Sequence, residues 1–205
     1  MLPESGRVTR TVYFTATSSD GYIADQDNSL EWLFACPHDE SDDTWDRFFP
    51  DVGALAMGAT TYEWMLDRHD LLGSPGQWHE WYGDRPGWVF THRSLPAVPG
   101  VDLQFVSGDV QASYGAMAAA AGERAVWVVG GGDLVGQFDD AGLLDEIWLG
   151  IRPVFLGGGA PLLPRRITSE RLTLREARQV GQAIRAVYDV ARTLEPAPDV
   201  AGGLH

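Results

Sequence analysis

Ala125-Val126-Trp127-Val128-Val129-Gly130-Gly131-Gly132-Asp133-Leu134-Val135 runs a β-branched, aromatic strand straight into three glycines. Asp133 then offers a helix cap, and Leu134, Val135 and Phe138 an apolar helix face. Glycines at a strand-to-helix joint let a ligand approach the backbone closely. The free N–H groups and the dipole of a helix start favour a phosphate. The stretch therefore reads as a seat for a nucleotide diphosphate, or as a tight turn between two packed elements. It is not a Gly-x-Gly-x-x-Gly fingerprint. A P-loop is excluded because all 15 basic residues are arginine, which also removes Schiff-base chemistry and any lysine base.

Working outward, strands and helices alternate. Thr11–Thr17 alternates like a strand and Tyr22–Ala24 resumes extended chain after Ser18-Ser19-Asp20-Gly21. Ser41-Asp42-Asp43 caps a short helix bearing Trp45, Phe48 and Phe49, ended by Pro50. Gly53–Met57 reads as a buried strand and Thr60–Asp67 as a helix. Leu71–Gly87 reads as a loop rich in Gly, Trp, His and Pro. Trp88–Thr91 and Val101–Val106 are strands, and Asp109 caps an alanine-rich helix that stops at Gly122. The helix after the triplet runs to about Ala141, and a long strand, interrupted at Pro153, covers Asp145–Phe155. Leu172–Ala177 and Ala183–Val190 form a closing antiparallel pair. The expected fold is α/β: one domain over 1–192 with a mainly parallel sheet and an antiparallel edge pair, then a disordered tail over 193–205.

Bulk properties narrow the function. A net charge of −14 argues against nucleic acid or an anionic membrane as partner. The single cysteine, Cys36, excludes an internal disulfide and a cysteine zinc cluster, and no histidine has a partner at ligand spacing, so no metal is expected. No signal core or membrane-length apolar run occurs, which points to a cytoplasmic protein with a small-molecule substrate. The terminal strand pair and the tryptophan-rich Gln77–Trp88 segment are candidate faces for a homodimer.

Four segments in order carry a resemblance. Ser19-Asp20-Gly21-Tyr22-Ile23-Ala24, Met57-Gly58-Ala59-Thr60-Thr61-Tyr62-Glu63, Val128 to Gly132, and Leu144-Asp145-Glu146-Ile147 leading to Pro153–Gly159 are its residues. The pattern resembles the dihydrofolate-reductase-like family, in particular the reductase domain of bacterial bifunctional riboflavin-biosynthesis deaminase–reductases. It extends from about Arg10 to Val190. The resemblance implies the three-layer dihydrofolate-reductase fold, NADPH, and an oxidoreductase acting on CH–OH or CH–NH groups of a small heterocycle or imine. The nearest named activity is reduction of 5-amino-6-(5-phosphoribosylamino)uracil. Dihydrofolate reduction and a non-catalytic ligand-binding role on the same fold are the alternatives. The zinc-ligating deaminase residues of the bifunctional enzymes have no counterpart in this chain.

By the same resemblance, Gly58, Ala59, Thr60 and Thr61 lie near the cofactor diphosphate. Gly130, Gly131, Gly132, Asp133, Leu134 and Val135 form a second phosphate seat. Thr91, His92 and Arg93 stand where the family holds the adenosine 2′-phosphate, which suits the Arg93 guanidinium. A solvated turn is the plainer reading of His92-Arg93. Ala59 replaces the arginine of many relatives, which leaves NADH open beside NADPH. Asp20 is the candidate catalytic residue, although Asp-Gly is also a common turn pair. Ala16, Trp32 and Phe155 are candidate substrate contacts, with Glu31 beside them. Asp42, Asp43 and Asp46 are possible counterparts of the carboxylate that grips pterin, or simple helix-start charges. Gly157-Gly158-Gly159 reads better as a bulged turn than as a ligand contact.

Overall fold

The computed structural model describes residues 9–192. The tail expected over 193–205 lies outside them. An eight-stranded sheet forms the centre, built from β1 (Thr11–Ser18), β3 (Val52–Gly58), β4 (Gly87–Phe90), β5 (Leu103–Val106), β6 (Ala125–Gly130), β7 (Glu146–Arg152), β9 (Leu172–Val180) and β10 (Ala183–Val190). The strand order is β5-β4-β3-β6-β1-β7-β10-β9. Every pairing from β5 to β7 is parallel, whereas β10 pairs antiparallel with both β7 and β9. Two short strands, β2 (Tyr22–Ala24) and β8 (Ala160–Pro161), pair antiparallel outside it. The expected architecture is thus the observed one.

The sheet is covered on both faces, so its inner strands read as near-continuous apolar runs. On one face Tyr13, Ala54, Ala56, Val126 and Val128 pack against α5 (Val110–Ala121) and α6 (Gly132–Asp140). Strand and helix approach closely there: a Cβ on Gly53 would stand 2.6 Å from the Ala121 carbonyl oxygen. On the other face Val12, Leu55, Met57 and Trp127 pack against α3 (Ala59–His69) and α4 (Gly76–Tyr82). The remaining helices, α1 (Glu31–Phe34) and α2 (Thr44–Phe48), are short. No helix among the described residues is long and apolar enough to cross a membrane.

Several local expectations need correction. The segment read as a loop holds α4, whose Trp78 is completely buried. With Trp88 buried as well, these two rings belong to the chain's own core rather than to an exposed face. The Trp45 helix stops at Phe48, just ahead of Pro50 as expected, but the chain continues through a 3₁₀ turn at Phe49–Asp51 that contains Pro50. The strand read to Phe155 stops at Arg152, because Pro153 has no N–H to give the ladder. Asp133 does not cap α6: Gly131 is the N-cap and Asp133 lies inside the first turn. Asp109 does cap α5, its Oδ1 accepting from the Gln111 N–H at 2.8 Å.

Candidate active site

Two cavities of about 380 Å³ each open near the carboxyl ends of the parallel strands. Thr15, on the central strand β1, lines both.

The first cavity is made where two neighbouring strands, β3 and β6, hand over to α3 and α6. Adjacent strands put the two helix starts side by side. Gly58 is the N-cap of α3 and Gly131 that of α6, and neither makes a side-chain cap. Neither first turn therefore has a side-chain partner for its leading N–H groups. A Cβ on Gly58 would stand 3.7 Å from the Gly131 nitrogen, so the two glycine turns touch. Thr60, Thr61, Gly130, Gly131, Gly132 and Asp133 all line this cleft.

Each glycine of the triplet has its own surroundings. A Cβ on Gly131 would meet nothing within 4 Å, whereas one on Gly130 would lie 3.1 Å from Thr61 Oγ1. On Gly132 it would collide with the Pro161 and Leu162 carbonyl oxygens, at 2.3 and 2.5 Å. The segment carrying those carbonyls is held by the Leu162 N–H on the Gly21 oxygen (2.9 Å) and by Tyr13 Oη on the Leu162 oxygen (3.1 Å). It roofs the start of α6.

Other candidates are placed differently. Leu134 and Val135 point into the core, and the Val135 N–H is used inside the helix by the Gly131 oxygen. Ala59 opens α3 but is not on the cleft wall. Thr91, His92 and Arg93 follow β4 on the surface side. Thr91 Oγ1 accepts from the Arg93 N–H at 2.9 Å, and the Arg93 guanidinium is bound bidentately by Glu63 at 2.7 and 2.8 Å. Arg93 is therefore near α3 and already partnered.

Asp20 has a post outside both cavity walls. Its Oδ1 accepts from Ser18 Oγ (2.6 Å) and the Leu156 N–H (3.1 Å), and its Oδ2 from the Gly157 N–H (2.7 Å). The Ser18 hydrogen bond foremost, with these amides, holds the carboxyl below its ordinary value. Asp20 is thus an anion that staples the turn after β7 to the turn after β1. Within the second triplet, Gly157 has φ +70° and a Cβ on Gly159 would lie 2.1 Å from the Ala24 oxygen. That is the packed turn expected.

The second cavity lies between β1 and α2. Phe14, Ala16, Phe34 and Trp45 give it an apolar wall, and Asp42, Arg152 and Arg185 a charged one. Trp32 and Phe155 are not on it; Phe155 is 79% exposed. Of the three carboxylates considered at α2, only Asp42 lines the cavity, while Asp43 pairs with Arg178. Asp42 is ion-paired to Arg185, each side chain about nine-tenths buried. Burial works against ionisation of Asp42, but the Arg185 and Thr44 hydrogen bonds outweigh it and hold the carboxyl at about 2.

Neither Arg152 nor Arg185 was singled out from sequence. The available signal was Arg185 on the inward side of β10, between Ala183 and Val187. It faces Gly150 across the β7–β10 ladder. A Cβ on Gly150 would come within 1.8 Å of Arg185 Nη1, so this glycine clears the path of the guanidinium.

Comparison with known proteins places the chain. The uncharacterised protein YwjB of Bacillus subtilis (strain 168) is 28% identical over 179 residues, covering 87% of this chain and 97% of YwjB. A crystal structure from Shewanella sp. PV-4, provisionally assigned to riboflavin biosynthesis, superposes with a TM-score of 0.72 at 25% identity, over 90% of this chain and 100% of that one. The riboflavin biosynthesis reductase Rib7 of Saccharomyces cerevisiae gives a TM-score of 0.59 at 14% identity, over 93% of each chain. Dihydrofolate reductase from Enterococcus faecalis, solved with NADP(H), gives 0.56 at 14%, over 90% of this chain and 96% of the other. The last two likenesses establish the dihydrofolate-reductase-like fold. A family model describing the RibD C-terminal domain matches residues 79–186, more than half of the length, and the chain belongs to that family.

Proposed function

We propose that the protein is an NADPH-dependent reductase that delivers hydride to a C=N or related unsaturated bond of a small flat substrate. One observation carries this reading. The starts of α3 and α6, neither capped by a side chain, open together onto one cleft that adjoins an aromatic cavity across Thr15. Reduction of 5-amino-6-(5-phosphoribosylamino)uracil is the named reaction closest to it, in keeping with the family.

The cleft residues fit a dinucleotide. Gly131 leaves bare backbone where a diphosphate needs close approach. Thr60 and Thr61 line the wall at the other helix start and offer hydroxyl donors. Asp133 would repel a phosphate, but Arg165 Nη1 draws its carboxylate at 3.2 Å. When bound, the reduced nicotinamide supplies the hydride. The chain's own work is to orient the acceptor against the Phe14 and Trp45 wall and to exclude water. Asp20 and Asp42, both held as anions, are not proton donors at neutral pH. His38, on the acceptor cavity, is the ring available to relay the proton that completes the reduction.

Calorimetry and thermal melts with NADPH and NADH test this directly. At a hundredfold excess over Kd the nucleotide should add about 2.7 kcal/mol of stability. Absence of heat together with an unmoved melting curve sinks the reading. A second expectation concerns selectivity. Glu63→Gln releases the Arg93 guanidinium and should raise the NADPH-over-NADH preference several-fold. Stability should change by less than about 1 kcal/mol, since the pair is exposed. An unchanged preference ratio would remove Arg93 from the 2′-phosphate.

A further inference from the structure

The charged wall of the second cavity is not explained by binding a nucleotide in the first. Arg152, at the end of β7, and Arg185, on β10, both line it. Each keeps a buried Nε–H that finds no acceptor. Arg185 has Asp42 as its counter-ion. Among the described residues, Arg152 makes no ion pair. Burial first, then the like charge of Arg185, pushes the Arg152 guanidinium below its ordinary value.

The arrangement is built rather than incidental. Gly150 is the residue that lets Arg185 lie across β7. Asp42 is fixed in turn by the Thr44 hydroxyl and amide. The wall therefore carries two cations and one anion, leaving one positive charge on a half-enclosed surface. The rings of Phe14 and Trp45, 5.9 Å apart between centroids, line the same cavity. A dianion would leave the wall with an uncompensated negative charge; a monoanion closes the balance.

We propose that this cavity binds an aromatic or heteroaromatic monocarboxylate, its carboxylate on Arg152 and Arg185 and its ring against Phe14 and Trp45. This rests on the reductase reading only in making that carboxylate part of the acceptor, and it sets that acceptor apart from 5-amino-6-(5-phosphoribosylamino)uracil, whose phosphate monoester is close to a dianion. The seat itself needs no nucleotide. A planar carboxylate suits a guanidinium fork.

Benzoate, benzamide and phenyl phosphate are the probes, titrated calorimetrically at one ionic strength with no pyridine nucleotide present. Failure here is thus separate from failure to bind NADPH. Benzoate should bind roughly tenfold more tightly than its neutral isostere benzamide, the value of one charge-assisted hydrogen-bond set. Phenyl phosphate should bind more weakly than benzoate. In Arg152→Gln the preference for benzoate over benzamide should vanish. Cys36, the chain's single thiol, lines the same cavity, so benzoate should slow its alkylation by iodoacetamide in the wild-type protein. That readout stands even if Arg152→Gln does not fold. Equal affinity for benzoate and benzamide, a preference that survives Arg152→Gln, tighter binding of phenyl phosphate, or an unprotected Cys36 each overturns the proposal.

Discussion

Gly132→Ala is expected to lower the melting temperature by about 10 °C, a loss of some 3 kcal/mol. The new methyl would sit 2.3 Å from the Pro161 oxygen and 2.5 Å from the Leu162 oxygen. Both are backbone atoms and cannot swing aside as a side chain would. They belong to the segment that Tyr13 and Gly21 hold in place, so relief requires lifting the roof from α6. Gly131→Ala is the control. Its methyl would meet nothing within 4 Å, so the fold should lose less than about 1 kcal/mol. It would, however, stand in the cleft and weaken nucleotide binding on the proposed reading. Neighbouring glycines should thus divide stability from binding. Equal melting temperatures for the two variants would show that the roof yields, and the packing account would fall.

The second large effect is expected at the Asp42–Arg185 pair. Asp42→Asn leaves a guanidinium nine-tenths buried without its counter-ion, and should cost about 3 kcal/mol. Removing both charges, in Asp42→Leu with Arg185→Met, should cost less than either single change. The pH dependence follows from the depressed acid. The unfolded carboxyl titrates near 3.8 and the folded one at about 2. Stability from this ionisation, roughly 2 kcal/mol, is therefore complete above the unfolded value and drains away as pH falls from about 4 through 2. Urea melts at pH 5 and pH 2 measure it: the gap between wild type and Asp42→Asn should narrow at the lower pH. A gap that stays constant would show that Asp42 is not held as an anion.

What the sequence revealed and what it concealed divide along the range of the interactions. The order of strands and helices was legible because β-branched runs, the glycine triplet and the Asp109 cap act over a few residues. The meeting of Gly58 with Gly131 was legible only through the family resemblance, which set both strand–helix junctions at one diphosphate. Helix α4 was hidden: Trp78, Trp81 and Tyr82 have helical spacing, but Gly and Pro crowd a seven-residue element. The cap of α6 was misassigned because the helix begins at Gly132, under a segment some thirty residues later, and takes Asp133 into its first turn. The stapling role of Asp20 was hidden because two of its partners, the Leu156 and Gly157 amides, lie 136 and 137 positions away. Asp42, Arg152 and Arg185 come from three remote segments, and only the register of β10 on β7 brings the last two onto one wall.

Thr15 forms part of both chambers. Elsewhere each chamber has walls of its own, so mutation can reshape one and spare the other. At this residue no such freedom exists. Whatever drifts along the lineage of this protein, the threonine on its central strand answers to both chambers at once.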